Sequence, residues 1–150
     1  MIASVLQDAE LWLAACGRAL WPAASIGHER VLQDTSAGLF RVARDTEQIV
    51  GVMKFELEDA YFWPEVPPGT SAFVHKLAIR RAGAKQGVSI ALLAYARTRA
   101  QQLGRACLRL DCIADRQGLR NFYEGFGFSL HSVVQRGATS FARYELRTAG

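Results

Sequence analysis

Cysteine, proline and long apolar runs are all scarce in this chain, and each scarcity excludes a class of protein. Three cysteines among 150 residues are an odd number, and Cys107 and Cys112 lie on one apolar segment at a spacing that sends them to opposite strand faces. A disulfide scaffold is excluded, and a reducing, cytoplasmic compartment fits best. Of the four prolines, three fall between Pro64 and Pro68, so no proline-rich disordered tract exists. With half its residues hydrophobic and a net charge of only +4, the chain is expected to be globular. No apolar stretch approaches the ~20 residues of a membrane-spanning helix. The N-terminal MIASVLQDAELWLAACGRAL lacks a basic opening and carries Asp8, Glu10 and Arg18, so it reads as an amphipathic helix and not as a secretory signal. The histidines His28, His75 and His131 show no ligand spacing, so no metal is expected.

What is present is enough apolar residue for one core. A chain of this length buries roughly 70% of its unfolded surface, and we expect a single domain over residues 1–150. Leu6, Ala9, Leu13, Cys16 and Leu20 recur with helical spacing up to Pro22, and a second helix is expected over about 25–32. From Leu39 the pattern becomes that of strands: LFRVAR, a turn at 45–48, then IVGVMKFEL. A stiff loop follows at 63–69, then the strand AFVHKLAI at 72–79. Val88, Ala91, Leu92, Tyr95, Ala96 and Leu103 form a helical stripe ending at Gly104, and ACLRLDCI at 106–113 is a strand. A short helix is expected at 117–124, then a strand pair at 126–135 and 139–146. The order indicates an α/β (α+β) fold, one mixed sheet covered by helices.

Charge divides along the chain. Residues 1–75 hold five basic and ten acidic side chains, while residues 76–150 hold thirteen and four. A basic half of this kind serves nucleic acid, an acidic membrane surface or a polyphosphate cofactor. Between a buried strand and a helix, Arg80 to Ser89 places Gly83 and Gly87 among Arg80, Arg81 and Lys85. Small residues let backbone N–H groups approach an anion, and the first helical turn leaves its donors unpaired. The segment has neither a Walker ending nor a G-x-G-x-x-G fingerprint.

VHKLAIRRAGAKQGVSIALL, followed by LRLDCIADRQGLRNFYEGFGF, resembles the GCN5-related N-acetyltransferase family over about residues 36–147. The resemblance implies a mostly antiparallel sheet with a splayed central strand pair, helices on both faces, and acetyl-CoA as co-substrate. It implies that the backbone of Leu77, Ala78 and Ile79 binds the pantetheine arm and that the next loop binds the pyrophosphate. The family's loop pattern falls on Ala84-Lys85-Gln86-Gly87-Val88-Ser89, with Ala84 in place of a polar residue and Ser89 in place of a small one. Backbone donors from Gln86 to Ser89 remain, and Arg81, Lys85 and Arg116 are available to supply charge; Arg116 stands where many relatives have Asn. In the block FYEGFGF the resemblance makes Tyr123 the general acid at the departing sulfur. Met1 to Val5 is the only segment placed to form the family's first strand.

An amine acceptor is protonated near neutrality, so direct attack on a thioester needs a base. His75, Glu56, Glu58 and Asp59 are candidates, with His75 favoured because it shares strand parity with Phe73 and Leu77 and titrates near neutral pH. The position of a catalytic Glu in some relatives is taken in this chain by Phe73. Asp111, in the apolar LRLDCI, needs a buried partner that the sequence does not name. Glu56, Glu58, Asp59 and Glu65 surround Tyr61, Phe62 and Trp63, a mixture suited to a cationic acceptor, with Glu56, Glu58 and Trp63 as the contacts. The expected activity is transfer of an acetyl group from acetyl-CoA to a small-molecule or peptide amine, without a cysteine nucleophile. Neither membrane nor nucleic acid is an expected partner, and an exposed C-terminal edge strand is able to pair in a homodimer. The alternatives are a noncatalytic acyl-CoA-binding module and a basic nucleic-acid-binding domain.

Overall fold

The computed structural model describes residues 40–45, 48–79 and 87–148. The two helices and short strand expected before residue 36, and the cationic loop at 80–86, lie outside the described residues. Among the described residues six strands make one mixed sheet in the order β1-β2-β3-β4-β6-β5: β1 (Phe40–Asp45), β2 (Gln48–Glu56), β3 (Ser71–Ile79), β4 (Cys107–Ile113), β5 (Ser129–Arg136) and β6 (Thr139–Arg147). Two helices, α1 (Val88–Gln102) and α2 (Gln117–Phe126), complete the described elements. None of the described helices is long and apolar enough to cross a membrane. The chain forms two compact units, residues 1–55 with 76–94 and residues 56–75 with 95–150.

In the first unit β1 and β2 form the expected antiparallel hairpin, from Phe40↔Lys54 to Asp45↔Gln48, with an irregularity between Ala43 and Arg44. Gly51 to Phe55 are buried without alternation, as a strand covered on both faces requires. In α1, whose residues from Tyr95 onward belong to the second unit, the expected stripe is met at Leu92 and Ala96 and departs elsewhere. Leu92, Leu93, Ala96 and Ala100 are the buried residues of α1, whereas Tyr95 and Leu103 are exposed. Leu92, Ala96 and Ala100 run in steps of four with Leu93 beside them, and Tyr95 lies at the solvent edge of that stripe.

In the second unit β3 starts parallel to β4 and pairs with it at only three positions, Ser71↔Cys107, Ala72↔Leu108 and Phe73↔Arg109. β4 continues alone along β6 as far as Ile113↔Phe141, so the strand pair opens beyond Phe73 and Arg109. Arg109 holds the closed end: its Nε donates to Ser71 Oγ at 2.9 Å and its Nη1 to Glu145 at 2.7 Å. Leu108, Leu110 and Cys112 are the buried side of β4, leaving Arg109 and Asp111 on the other. α2 extends through Phe126, which the sequence pattern assigns to the next strand. Gly127, at φ +127, ends the helix by donating its N–H to the carbonyls of Tyr123 and Glu124, a conformation that side chains with a Cβ rarely adopt. The helix is fixed to the sheet by Arg120, which donates to Tyr144 Oη at 3.0 Å, and by Tyr144, which donates to Glu124 at 2.6 Å.

Candidate active site

Beyond the last β3–β4 pair, the next residues on the same face are His75 and Asp111, each two positions further on. Parallel strands that part leave such side chains facing one another without a ladder between them. His75 Nδ1 lies 3.9 Å from Asp111 Oδ2, and His75 Nε2 lies 2.9 Å from Asp59 Oδ2. Asp59 reaches that place from the loop after β2. Its Oδ1 accepts the N–H groups of Tyr61 at 3.1 Å and Phe62 at 2.9 Å, and its carbonyl accepts the N–H of Trp63 at 3.1 Å. The side chain thereby closes its own turn, as aspartate does at turn starts.

Both carboxylates are only 8% exposed and the imidazole 18%, so their charges act in a medium poorer than water. Burial alone would depress the His75 pKa; the bond to Asp59 and the charges of Asp111, Asp59 and Glu56 outweigh it and hold it above 6.5. Burial opposes ionisation of Asp59 too, but the His75 contact and the Phe62 and Tyr61 N–H groups bring it below 3.8. Asp111 lacks such donors, and burial pushes it up to about 6 in spite of the opposing charge of His75. One donor atom from each of the three residues lies within 4.8 Å of the others, a grouping compact enough for a cation where no metal is expected from the sequence. Each ring nitrogen faces a different carboxylate, at 2.9 Å on one side and 3.9 Å on the other, so the imidazole sits between two acidic groups whose charge favours its protonated form.

The structure brings two of the sequence candidates, His75 and Asp59, into contact and supplies Asp111 with the partner the sequence leaves unnamed. Glu56, half-buried, ends β2, and Glu58 is exposed in the following loop. Trp63 takes a different place from that of a surface contact. It is 2% exposed, with the guanidinium of Arg109 4.8 Å and that of Arg143 4.5 Å from its ring centre. Tyr61, 62% exposed, is the accessible aromatic of this loop. Arg136 and Arg143 tie the loop to the β5–β6 hairpin through the carbonyls of Tyr61 and Phe62; neither stands out in the sequence.

Tyr123 lies on α2 with its ring among those of Phe122, Phe128 and Tyr144. Burial foremost, helped by negative charge on the β4 side at Asp111, raises its pKa well above the usual 10, so the phenol keeps its proton across the working range. The Cys112 thiol is likewise pushed up to about 12 by burial and by Asp111.

Of the expected cofactor residues, Arg81, Lys85 and Gln86 lie outside the described residues, as does the Ile79 side chain. Leu77 and Ala78 belong to β3. Lys76 before them has φ +50, a left-handed conformation that interrupts strand alternation, so His75 parity does not carry on to Leu77. Gly87, at φ +73, has nothing among the described residues within 4 Å of where a Cβ would stand, and among them the first intrahelical bond of α1 is Ala91 N–H to Gly87 O at 3.0 Å. The N–H groups of Val88, Ser89 and Ile90 thus precede the helical ladder, donors of the kind that an anionic phosphate group takes. Arg116 stands at the N-cap of α2 without a side-chain capping bond.

The chain matches the model of the Acetyltransferase (GNAT) family over residues 6–128. Among curated proteins it is 29% identical over 85 residues to the uncharacterized N-acetyltransferase YesJ of Bacillus subtilis (strain 168), covering 57% of this chain and 47% of that protein. The chain thus spans about half the length of that relative. A GNAT-family acetyltransferase from Listeria monocytogenes 4b F2365 superposes with a TM-score of 0.77 at 18% identity, over 97% of this chain and 87% of the other. A GNAT-family acetyltransferase from Elizabethkingia anophelis, solved with acetyl-CoA bound, gives 0.62 at 15% identity over 81% and 83%. At these identities the structural likeness establishes the fold: a mixed six-stranded sheet with helices.

Proposed function

Because the chain belongs to the GNAT acetyltransferase family, we propose that it transfers the acetyl group of acetyl-CoA to a primary amine, by direct attack in a ternary complex. The observation that carries this reading is the buried cluster of Asp59, His75 and Asp111 at the opening between β3 and β4. A primary amine with a lysine-like pKa of ~10.4 reaches the site as an ammonium ion. It must lose a proton before its lone pair can form a bond. A partly anionic, poorly solvated cluster attracts the ammonium and receives that proton. Glu56, whose charge acts on His75, and the exposed Glu58 and Tyr61 of the same loop supply acidic and aromatic groups, which favours a cationic acceptor.

Acetyl-CoA supplies the thioester. The backbone of Leu77, Ala78 and Ile79 holds its pantetheine arm in this reading. The N–H groups of Gly87, Val88 and Ser89 receive its pyrophosphate, with Arg81, Lys85, Gln86 and Arg116 contributing charge or hydrogen bonds. Tyr123 presents its O–H to the departing sulfur. Because a phenol with a raised pKa is a weaker acid than a thiol of pKa ~8.5, Tyr123 acts by hydrogen bonding as negative charge develops. Cys112, held as a thiol by its high pKa, is not a nucleophile.

The test is to titrate the protein with acetyl-CoA while following its thermal midpoint, then add a panel of primary amines and follow thiol release. Acetyl-CoA at a hundredfold excess over Kd should stabilise the protein by about 2.7 kcal/mol, roughly 5–10 °C, and at least one amine should be recovered acetylated. A thermal shift without transfer to any amine would make the chain a noncatalytic acyl-CoA-binding module. Absence of a shift would remove the cofactor assignment.

A further inference from the structure

We propose that Asp111 is the residue that takes the proton from the acceptor amine, with His75 held beside it by Asp59 as a positioning cation. This rests on the acetyltransferase reading above. The geometry assigns the roles by elimination within the cluster. One Asp59 oxygen accepts the N–H groups of Tyr61 and Phe62, and the other, though without hydrogen-bond geometry, is occupied by the ion-pair contact with His75 Nε2 at 2.9 Å. His75 has Nε2 committed to Asp59 and Nδ1 turned to Asp111. Asp111 Oδ2 is buried and has no hydrogen-bond partner among the described residues. Its 3.9 Å distance from Nδ1 exceeds the ~3.2 Å of a hydrogen bond.

A buried carboxylate oxygen with no donor is costly in the free protein and becomes satisfied when an N–H group arrives. An ammonium ion brings the charge and the donors that this oxygen lacks. Asp111 also stands past the last β3–β4 pair, on the side of β4 opposite the buried Leu110 and Cys112.

The charges around it are compatible with this work. His75 on β3, Asp59 on the preceding loop, Arg143 on β6 and Arg136 on β5 all act on Asp111, and Glu56 acts on His75. Their sum, with burial, leaves Asp111 titrating at about 6, ionised at neutral pH yet far more basic than an exposed aspartate. The same carboxylates hold the His75 pKa above 6.5.

In the transfer step the Asp111 carboxylate takes one proton from the ammonium nitrogen, whose freed electron pair forms the C–N bond as the C–S pair leaves with sulfur. The second nitrogen-bound proton ends on the thiolate. The first passes from Asp111 to solvent.

The experiment compares Asp111→Asn and His75→Gln with the parent protein, measuring kcat against pH and the thermal shift produced by acetyl-CoA. Asp111→Asn is expected to keep the shift, to lose on the order of 10²- to 10³-fold in kcat at neutral pH, and to regain rate as pH approaches the ~10 pKa of the amine. His75→Gln is expected to keep an acidic limb in the profile, moved to a different pH. If Asp111→Asn retains the parent profile, or His75→Gln alone abolishes the acidic limb, the assignment is overturned. Carbon-13 NMR of the unsubstituted protein with carboxyl-labelled aspartate gives a second measurement independent of variant folding. One carboxyl should titrate near 6 and respond to added amine, and none doing so overturns the proposal. Failure of the parent protein to shift with acetyl-CoA or to release thiol would instead fault the acetyltransferase reading itself.

Discussion

Asp59 Oδ2 lies 2.9 Å from His75 Nε2, while the other oxygen of the same carboxylate closes the turn at Tyr61 and Phe62. One side chain therefore fixes both the loop and the imidazole. Asp59→Asn keeps an oxygen for the turn but removes the charge, whereas Asp59→Ala removes both. Urea denaturation should show Asp59→Ala less stable than Asp59→Asn by about 1 kcal/mol, the worth of a capping hydrogen bond. In both variants NMR titration should find the His75 pKa lower than in the parent. Equal stability of the two would show that the turn holds without the carboxylate.

The cluster gives stability a defined pH dependence. His75, raised above its ordinary 6.5, contributes stability fully present below that pH and lost as pH rises through its folded value. Asp111, raised from 3.8 to about 6, contributes with the same sign, because the folded protein disfavours its ionised form. Asp59, lowered below 3.8, stabilises above that value and stops doing so as pH falls through its folded pKa. The contribution of the cluster should therefore be greatest near pH 4 and decline as pH rises. The Asp111 share falls away between 3.8 and about 6 and amounts to roughly 2 to 3 kcal/mol at ~1.4 kcal/mol per unit, and the His75 share follows above 6.5. Asp111→Asn should flatten the first part of that decline in thermal scans and raise the midpoint near neutral pH. A parent midpoint that climbs steadily from about pH 5 to about pH 8 would contradict both signs.

The strands were legible because their apolar residues alternate or run continuously, and β3, β4 and β6 lie where the pattern puts them. Phe126 reads as strand because aromatics favour sheets, yet α2 carries it until Gly127 can turn. The site was half legible. His75 stands out by parity and Asp111 as a buried charge without a partner, but their meeting depends on two parallel strands parting after three pairs. Nothing local encodes that parting. Trp63 reads as a surface aromatic from its acidic neighbours, and its burial follows from Arg109 and Arg143, which the sheet brings from far along the chain.

Arg143 is the residue through which β6 holds the loop that carries Asp59. It is buried, donates to Phe62 O at 2.8 Å, Ser132 Oγ at 2.8 Å and Glu65 at 2.7 Å, and lies over the Trp63 ring. Its partner Glu65 is more than half exposed, so the ion pair itself is worth little. Glu65→Gln should cost under ~1 kcal/mol, whereas Arg143→Met, which strands a carbonyl and empties one face of the indole, should cost about 2 to 4 kcal/mol. Chemical denaturation of the two variants decides it. Comparable losses would mean that the exposed ion pair, not the buried guanidinium, holds the loop.

Cys112 and Tyr123 both keep their protons because burial and the nearby Asp111 charge raise their pKa values, yet their consequences for turnover are opposite. The thiol, pushed up to about 12, is protonated at any working pH and shielded by the core. Native protein at about pH 8 should leave Cys112 unmodified by iodoacetamide while the half-buried Cys107 reacts, as peptide mass spectrometry would record. Cys112→Ala should keep kcat within a few-fold, since no bond to sulfur of the protein is made. Tyr123→Phe retains the ring packing with Phe122, Phe128 and Tyr144 and removes only the O–H, so its stability should match the parent while kcat falls by about 10²-fold. The loss should shrink with thioesters whose thiol is more acidic, because a better leaving group needs less hydrogen bonding. A uniform loss across such thioesters would place Tyr123 in substrate binding instead of at the departing sulfur.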